Sequence, residues 1–317
     1  MAFTYIAVSN ITDAFPGGAH TITHFLLNKI PQIKRLVAKK IPVAIIIDES
    51  SMVPIHFWAA LANLKFIGVQ FYIFGDFNQF KPIFLDDPKR KWSSMDSSDF
   101  MHDLCNGCKI EFTKYRRGTD QDHFDFVGSI YPHKTCLEDA LKQARAKYRN
   151  LDTPQTTLCV TNVHRKTVNS KYNKIEYIKS HQKDGIFIKY NCSSKNKGQS
   201  MYIWPGIILQ SYKTDAKAKQ YNIKNGIFYK IKEITQNDVK FVKINDKEEE
   251  SDELMHLPIN EIPEKLLLCW AYTYHKSQGK TIKGVLELAQ TSNKNFTLRH
   301  LLVGLGRGPC GKNIHVT

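Results

Sequence analysis

With 317 residues, 42% of them hydrophobic, the chain is long enough for two ordinary domains with real cores, and disorder is not its default. Lys and Arg outnumber Asp and Glu by 45 to 30, a net charge of +15, which favours a polyanion such as nucleic acid as partner over an anionic membrane surface. No apolar run reaches membrane-spanning length, Met1-Ala2-Phe3-Thr4 lacks the basic start of a signal peptide, and seven scattered cysteines, an odd number, argue against a disulfide framework; the expectation is a soluble intracellular protein, with no membrane role, at a nuclear or cytoplasmic site left open.

In chain order, Phe3-Thr4-Tyr5-Ile6-Ala7-Val8 reads as a strand, Ser9-Asn10 and Gly17-Gly18 as a small-residue turn, and Thr21-Ile22-Thr23-His24-Phe25-Leu26 as a helix start. A short basic amphipathic piece, 33–40, leads into Val43-Ala44-Ile45-Ile46-Ile47. That run is of the kind a parallel strand buried on both faces needs, and it stops at Asp48-Glu49. Residues 54–64 have a helical period. Phe71-Tyr72-Ile73-Phe74 then repeats the strand pattern and stops at Gly75-Asp76.

Ligands of open α/β sheets sit outside the carboxyl ends of the strands, so both acidic groups are expected on one rim, where nucleotide phosphates and Mg²⁺ would lie. A Mg²⁺ shared with phosphates takes one or two protein carboxylates, and Asp48 suits one such place, through water. Glu49 can then polarise the attacking water, and Gln79 can read the γ-phosphate. The competing reading is a strand that merely meets a helix, with Asp48 or Ser50 as its cap.

Residues 99–105 are expected as a helix and Lys109-Ile110-Glu111-Phe112 as a strand delivering Tyr115-Arg116-Arg117. Cys105-Asn106-Gly107-Cys108 has the spacing of half a zinc site, but no second pair follows at a usable distance. The pattern changes near Tyr131-Pro132. A helix rich in Ala, Lys and Arg is expected over 137–148, and Thr156-Thr157-Leu158-Cys159-Val160 opens a second α/β unit. The expected organisation is a first domain over 1–135, a linker helix within 136–155 and a second domain over 156–317.

From Arg165 to Lys197 stand nine Lys or Arg and two acids, Glu176 and Asp184, interleaved with Tyr172, Tyr177, Phe187 and Tyr190. Such a strip can hold a single strand by phosphate contacts and base stacking, and a solvated basic face is the equal alternative. Short β-like segments over 201–242 are broken at Pro205-Gly206 and Asn225-Gly226, the latter a strong hairpin signal. Residues 246–253 are expected as an exposed acidic loop. The block at about 198–260 resembles a small β-barrel inserted in the second unit, whose parent sheet is expected to resume over 266–271.

After that strand comes Tyr274-His275-Lys276-Ser277-Gln278-Gly279-Lys280-Thr281, and near the end Leu301-Leu302-Val303-Gly304-Leu305-Gly306-Arg307. Together with IIIDESSM, GDFNQFKP and TKYRRGTD, in this order, these stretches resemble the superfamily-1 DNA helicases of the RecD-like and Pif-type branch. The resemblance spans nearly the whole chain. It implies an α/β fold of two RecA-like, P-loop NTPase domains with a small SH3-like β-barrel inserted in the second, ATP and Mg²⁺ as cofactors, and single-stranded DNA as partner, tracked 5′-to-3′.

What the resemblance implies for single residues follows the motifs. Asp48 and Glu49 stand at the Mg²⁺ ligand and catalytic base, and Gly75, Asp76 and Gln79 in the motif that couples the γ-phosphate to DNA. Arg116 and Arg307 stand at the two arginine fingers. His275, Lys276, Ser277, Gln278 and Thr281 match the motif that contacts the DNA backbone and, with Gly279, faces the nucleotide. His24 matches a segment near the DNA path, with a packed core histidine as the competing reading. Asn162, Arg165 and Asn169 match a weaker pattern at the start of the second domain.

One family element does not occur. No G-x-x-x-x-G-K-[ST] phosphate loop stands in the sequence; Gly279-Lys280-Thr281 imitates its end, but the residue five before Gly279 is Tyr274. The expectation is a first domain truncated at its N-terminus, the larger C-terminal part of a helicase, inactive alone; a separate upstream polypeptide carrying the loop, a frameshifted or split gene, or a misplaced start codon would each account for it. The alternative is a non-catalytic relative that binds single-stranded nucleic acid. Gly306 is a lesser departure, standing where the family has Ser or Thr.

Overall fold

Two parallel strands frame the first of two units in the computed structural model, which describes residues 1–2, 8, 19–82, 95–114, 118–131, 134–180, 184–190, 198–213, 223–245 and 249–317. Unit 1 comprises Met1–Cys136 with Leu298–Val303, and unit 2 comprises Leu137–Thr297 with Gly304–Thr317. The strand expected from Phe3 onward and the Tyr115-Arg116-Arg117 stretch lie outside the described residues.

In unit 1, Thr21 starts α1 (Ile22–Asn28) by accepting the His24 N–H on its hydroxyl, and α2 (Ile30–Ala38) follows with a proline in its first turn, where a missing N–H costs nothing. β1 (Ala44–Ile47) pairs in parallel with β2 (Gln70–Ile73), in register from Ala44 opposite Gln70 to Ile47 opposite Ile73. The crossover between them is α3 (Ile55–Lys65), closed by Gly68 at φ 93°. Trp58, Leu61 and Leu64 recur at helical spacing on α3 and are buried with Ile45, Ile47 and Phe71. Each such side chain contributes about 1.5–3 kcal/mol by leaving water. On the other flank of β1, Ala2 bridges both Asp48 and Thr21 in parallel fashion.

α4 (Asp99–Leu104) and α5 (Gln121–Ser129) begin at side-chain caps, Ser98 and Asp120. The strand expected at 109–112 is not one: those residues join no ladder, and Ile110 and Phe112 are 75% and 78% exposed. An alternating apolar pattern without a partner strand has no hydrogen bonds to hold it in a sheet.

Unit 2 opens with α6 (Leu137–Lys147), then β3 (Thr156–Cys159) and the long α7 (Asn162–Lys179). After β4 (Ile186–Ile188) and β5 (Met201–Ile203), an antiparallel pair, come β6 (Ile208–Ser211), β7 (Phe228–Ile234), β8 (Asp238–Ile244) and β9 (Glu250–Pro258). The short α8 (Ile262–Lys265) leads to β10 (Leu266–Leu268), then β11 (Ala271–Thr273), α9 (Tyr274–Ser277), β12 (Leu286–Leu288), α10 (Leu298–Leu305) and β13 (Ile314–Val316).

β6 to β10 form a five-stranded antiparallel sheet, order β10-β6-β7-β8-β9, around buried Leu209, Tyr229, Ile231, Phe241 and Leu257. The expected turns hold, with Gly206 and Gly226 at φ 98° and 91°. Two expectations change here. Residues 250–253 are not loop but the start of β9, where Lys230 and Lys232 of β7 pair with the Glu250 carboxylate at 3.0 and 2.8 Å. Leu266–Leu268 does not resume the parent sheet; it pairs antiparallel with β6, and only β11 belongs to the four-stranded parallel sheet, order β11-β3-β12-β13.

α7 is anchored by a polar stripe. Arg165, Asn169 and Asn173 lie one above the other at i, i+4 and i+8, and all three are buried. The Asn169 side chain accepts from the Ala271 N–H at 2.8 Å and donates to its carbonyl at 3.1 Å, as a neighbouring strand would. Asn173 does the same to Tyr202 of β5, at 2.8 and 2.9 Å. Among the described residues no helix is long and apolar enough to cross a membrane.

Candidate functional site

The carboxyl ends of β1 and β2 lie side by side because the strands run parallel, so Asp48-Glu49 and Gly75-Asp76 share one rim of unit 1. Phe74 N–H donates to Ile47 C=O at 2.8 Å and Ser50 N–H to Phe74 C=O at 3.0 Å, carrying the pairing past the strands. Gly75 is held there by space: a Cβ on it would lie 2.2 Å from Ser50 Oγ and 3.0 Å from Ser50 N. The chain turns at Glu49 with φ 53°, a left-handed conformation that costs an L-residue about 1–2 kcal/mol. The Glu49 N–H donates to Asp48 Oδ1 at 2.8 Å.

This disposes of the capping alternative. The carboxylate of Asp48 serves its neighbour's N–H, the next α-helix starts after Pro54, and that start has no side-chain cap. On the second strand end, Asp76 Oδ1 accepts the Asn78 N–H at 2.9 Å, and Oδ2 accepts from Gln79 Nε2 at 3.2 Å and Tyr131 Oη at 3.4 Å. Asp76 thereby fixes the turn that carries Gln79.

Sequence reasoning missed two partners of this turn. Tyr131 was read only as the place where the pattern changes. Arg299, in the Leu298–Val303 segment of unit 1, donates through Nη1 to Phe77 C=O at 2.9 Å and also to Gln79 C=O. Burial lowers the Arg299 pKa and the nearby Asp76 carboxylate raises it again. Its only sequence signal is its place eight residues before Arg307.

His24 is exposed on α1, stacked on His20 at 4.9 Å between ring centres, so the packed-core alternative fails. In unit 2, Thr161 caps α7, and in its first turn Arg165 Nε donates to Asn162 Oδ1 at 3.2 Å. Asn162 is exposed while Arg165 is buried. Gln290, 129 and 130 residues away and at φ 60°, accepts the N–H groups of Val160 and Thr161 on its Oε1 at 2.9 and 3.0 Å. No local sequence signal points to it.

His275, Lys276 and Ser277 form α9, capped by Thr273. His275 is half-buried, and loss of water lowers its pKa, favouring the neutral ring. Ser277 is buried and donates to Tyr274 C=O at 2.8 Å. Gln278, 3% exposed, has neither side-chain atom hydrogen-bonded among the described residues. Gly279 turns the chain at φ 80°. Lys280 is buried with its ammonium 4.0 Å from the Tyr272 ring centre and 4.6 Å from that of Phe228, and Thr281 is exposed. Gly279-Lys280 thus follows a helix, whereas a phosphate loop precedes one. Arg307, 2% exposed, donates from Nη1 to Lys280 C=O at 3.2 Å and accepts the Ile282 N–H on its own carbonyl at 2.9 Å. Arg116 lies outside the described residues.

Unit 1 therefore gathers Asp48, Glu49, Gly75, Asp76 and Gln79, while unit 2 gathers Arg307 with the loop after α9. The carboxylates on the rim fit the hard, oxygen-seeking Mg²⁺. A phosphate cradle of successive N–H groups with a lysine is not among the described residues.

No protein-family model matches the sequence, and no curated protein does. Solved structures do. The Pif1 helicase from Candida albicans matches over 99% of this chain and 83% of its own, with a TM-score of 0.59 and 18% identity. Bacteroides Pif1 bound to single-stranded DNA matches over 99% and 81%, with a TM-score of 0.59 and 19% identity. The Bacteroides enzyme in complex with ADP-AlF3 and single-stranded DNA matches over the same shares, with a TM-score of 0.56 and 18% identity. Over nearly its whole length, this chain has the fold of the Pif1 helicases.

Proposed function

We propose that these residues carry the DNA-tracking and water-activating parts of an ATP-dependent DNA helicase of the Pif-type branch of superfamily 1, moving 5′-to-3′ on single-stranded DNA. On this reading residues 1–135 and 156–317 are its two RecA-like domains, joined by a linker helix within 136–155, and the five-stranded sheet is the SH3-like insertion. The observation that carries it is the rim of unit 1, where parallel strands present Asp48-Glu49 beside Gly75-Asp76 and Asp76 holds Gln79 in its turn. The fold shared with helicases supports it.

Asp48 would hold Mg²⁺, and Glu49, thrown out of line by its left-handed turn, would polarise the attacking water. Asp76 and Gln79 couple the γ-phosphate to the strand. Arg116 and Arg307 donate to charge that develops only in the transition state, a contribution of about 10³–10⁵ in turnover for arginine fingers generally. His24, Asn162, Arg165, His275, Lys276, Ser277, Gln278 and Thr281 form the strand contacts, with Gly279 letting the loop approach the nucleotide. Bound Mg²⁺ supplies charge neutralisation between phosphates. The residues fit that ion, and on this reading turnover also needs a phosphate-binding loop, which this sequence does not contain.

The test joins this chain to a segment bearing a G-x-x-x-x-G-K-[ST] loop. ATP hydrolysis is expected only with single-stranded DNA present and is expected to vanish in Glu49→Gln. Hydrolysis that persists in that variant sinks the assignment of the base. The lack of a phosphate loop within these residues, with the +15 charge, favours a second reading: a non-catalytic binder of single-stranded nucleic acid. Salt-sensitive binding that ATP leaves unchanged in the joined protein selects it.

A further inference from the structure

The anchored helix α7 turns its buried asparagines to the sheets and carries lysines on the neighbouring faces. Lys166, Ser170 and Lys174 stand at i, i+4 and i+8, with Thr167 and Lys171 in the adjacent row. With Gln199 and Ser200, which precede β5, they line an open groove of about 520 Å³. Among the described residues its wall carries ammonium groups, hydroxyls and an amide, with no carboxylate.

Both walls are fixed. Gln199, 6% exposed, donates to Lys166 C=O at 3.2 Å, and its Oε1 is buried with no partner among the described residues. Ser200 accepts the Tyr190 N–H at 2.9 Å. Where Asn173 locks to Tyr202, an aromatic ledge begins: Tyr202 stacks on Tyr177 at 4.5 Å and meets Phe187 at 4.8 Å, and Phe187 is 54% exposed.

We propose that this groove binds the sugar-phosphate backbone of single-stranded nucleic acid, with Phe187 and its ledge as a base-stacking platform at one end. The groove continues along α7 from Asn162 and Arg165 at the start of the same helix, and the inference rests on the nucleic-acid reading above. From Lys166 to Lys174 the helix rises about 12 Å, a length over which a stacked strand presents three to four phosphates at about 3.4 Å each. Cationic and hydroxyl groups in a fixed row match phosphate oxygens, and an exposed aromatic face matches a base only where bases are unpaired. A fixed row of cations and hydroxyls with a single exposed aromatic at its end suits a strand better than a lipid surface, which needs a broader apolar face to insert.

The test measures binding of the 317-residue chain to fluorescent dT20 at several salt concentrations. For Lys166→Gln/Lys171→Gln/Lys174→Gln, affinity near 0.15 M salt is expected to fall at least about tenfold, and the slope of log affinity against log salt to shrink by about 2, at roughly 0.7 per phosphate contact. The Lys→Arg triple is expected to bind as the parent does. Phe187→Ala is expected to weaken binding about fivefold or more with the slope unchanged.

As a control, Lys142→Gln/Lys147→Gln/Lys312→Gln lowers the net charge equally outside the groove. If it flattens the slope as much as the groove triple, or if the groove triple binds like the parent, this inference is overturned and the helicase reading stands. A parent chain that binds no dT20 overturns both. Loss of binding to phosphatidylserine vesicles alone, with dT20 binding intact, overturns the inference in favour of a lipid surface.

Discussion

At the scale of the residue, two of the four described non-glycine positions in the left-handed region, Glu49 and Gln290, are informative. The Asp-Glu pair ending an apolar run marks Glu49 as a candidate, but its φ of 53° is not legible, because the turn follows from how β1 and β2 meet. Gln290 was not legible at all. Its φ of 60° aims the amide at Val160 and Thr161, 129 and 130 residues away, and a contact so distant leaves no periodic or local trace. Gln290→Ala keeps the strain and removes an acceptor from two N–H groups at the start of α7. It is expected to cost about 2–4 kcal/mol of stability. Gln290→Gly loses the same acceptor but sheds the left-handed penalty, so it should cost less. Urea unfolding of both variants checks this, and equal losses would show that the backbone strain plays no part.

At the scale of the element, the sequence was readable where one signal decided the structure. Apolar runs ending in acids marked β1 and β2, helical period marked α3, and Asn225-Gly226 marked the turn before β7. It failed where a partner decided. Residues 109–112 alternate like a strand but meet no ladder, and 250–253 look like an acidic loop yet begin β9, where Glu250 pairs with Ile244 of β8 and Lys230 and Lys232 offset its charge. Leu266–Leu268 is as apolar as a parent-sheet strand, and only its antiparallel register with β6 assigns it elsewhere. The buried stripe of α7 is the same lesson inverted, since polar residues at i, i+4 and i+8 would ordinarily mark a solvated face. Asn169→Ala leaves the Ala271 N–H and C=O buried without their partner, and each such group costs about 1–3 kcal/mol. The variant is expected to lose about 2–4 kcal/mol in chemical denaturation. Asn169→Asp, which can accept but not donate when ionised, should fall between it and the parent. A loss below about 0.5 kcal/mol for Asn169→Ala would mean that water replaces the side chain.

At the scale of the whole molecule, the shape outlasts the sequence. Identity of 18–19% to Pif1 structures leaves a common fold, because many apolar sequences satisfy the same alternation of buried strands and covering helices. What stays readable are short stretches such as the two apolar runs that end in acids at Asp48-Glu49 and Gly75-Asp76. Among the described residues the two units differ in how much sheet supports each core. Among the described residues, unit 1 builds on the two-stranded β1-β2 sheet, covered by α3, whereas unit 2 has a four-stranded parallel and a five-stranded antiparallel sheet. A two-stranded sheet is marginal without packing, and each further strand adds cross-strand pairs and buried apolar area. Unit 1 should therefore open at lower free energy than unit 2. Hydrogen exchange followed by mass spectrometry is expected to find the amides of β1 and β2 exchanging at least about tenfold faster than those of β7, β8 and β3 at neutral pH, a gap of about 1.4 kcal/mol or more. A denaturant series should merge the β7, β8 and β3 amides into the last unfolding step and leave β1 and β2 in an earlier one. If all five strands exchange together, the chain opens as one cooperative body, and the difference in sheet support is made up by contacts other than strand pairing.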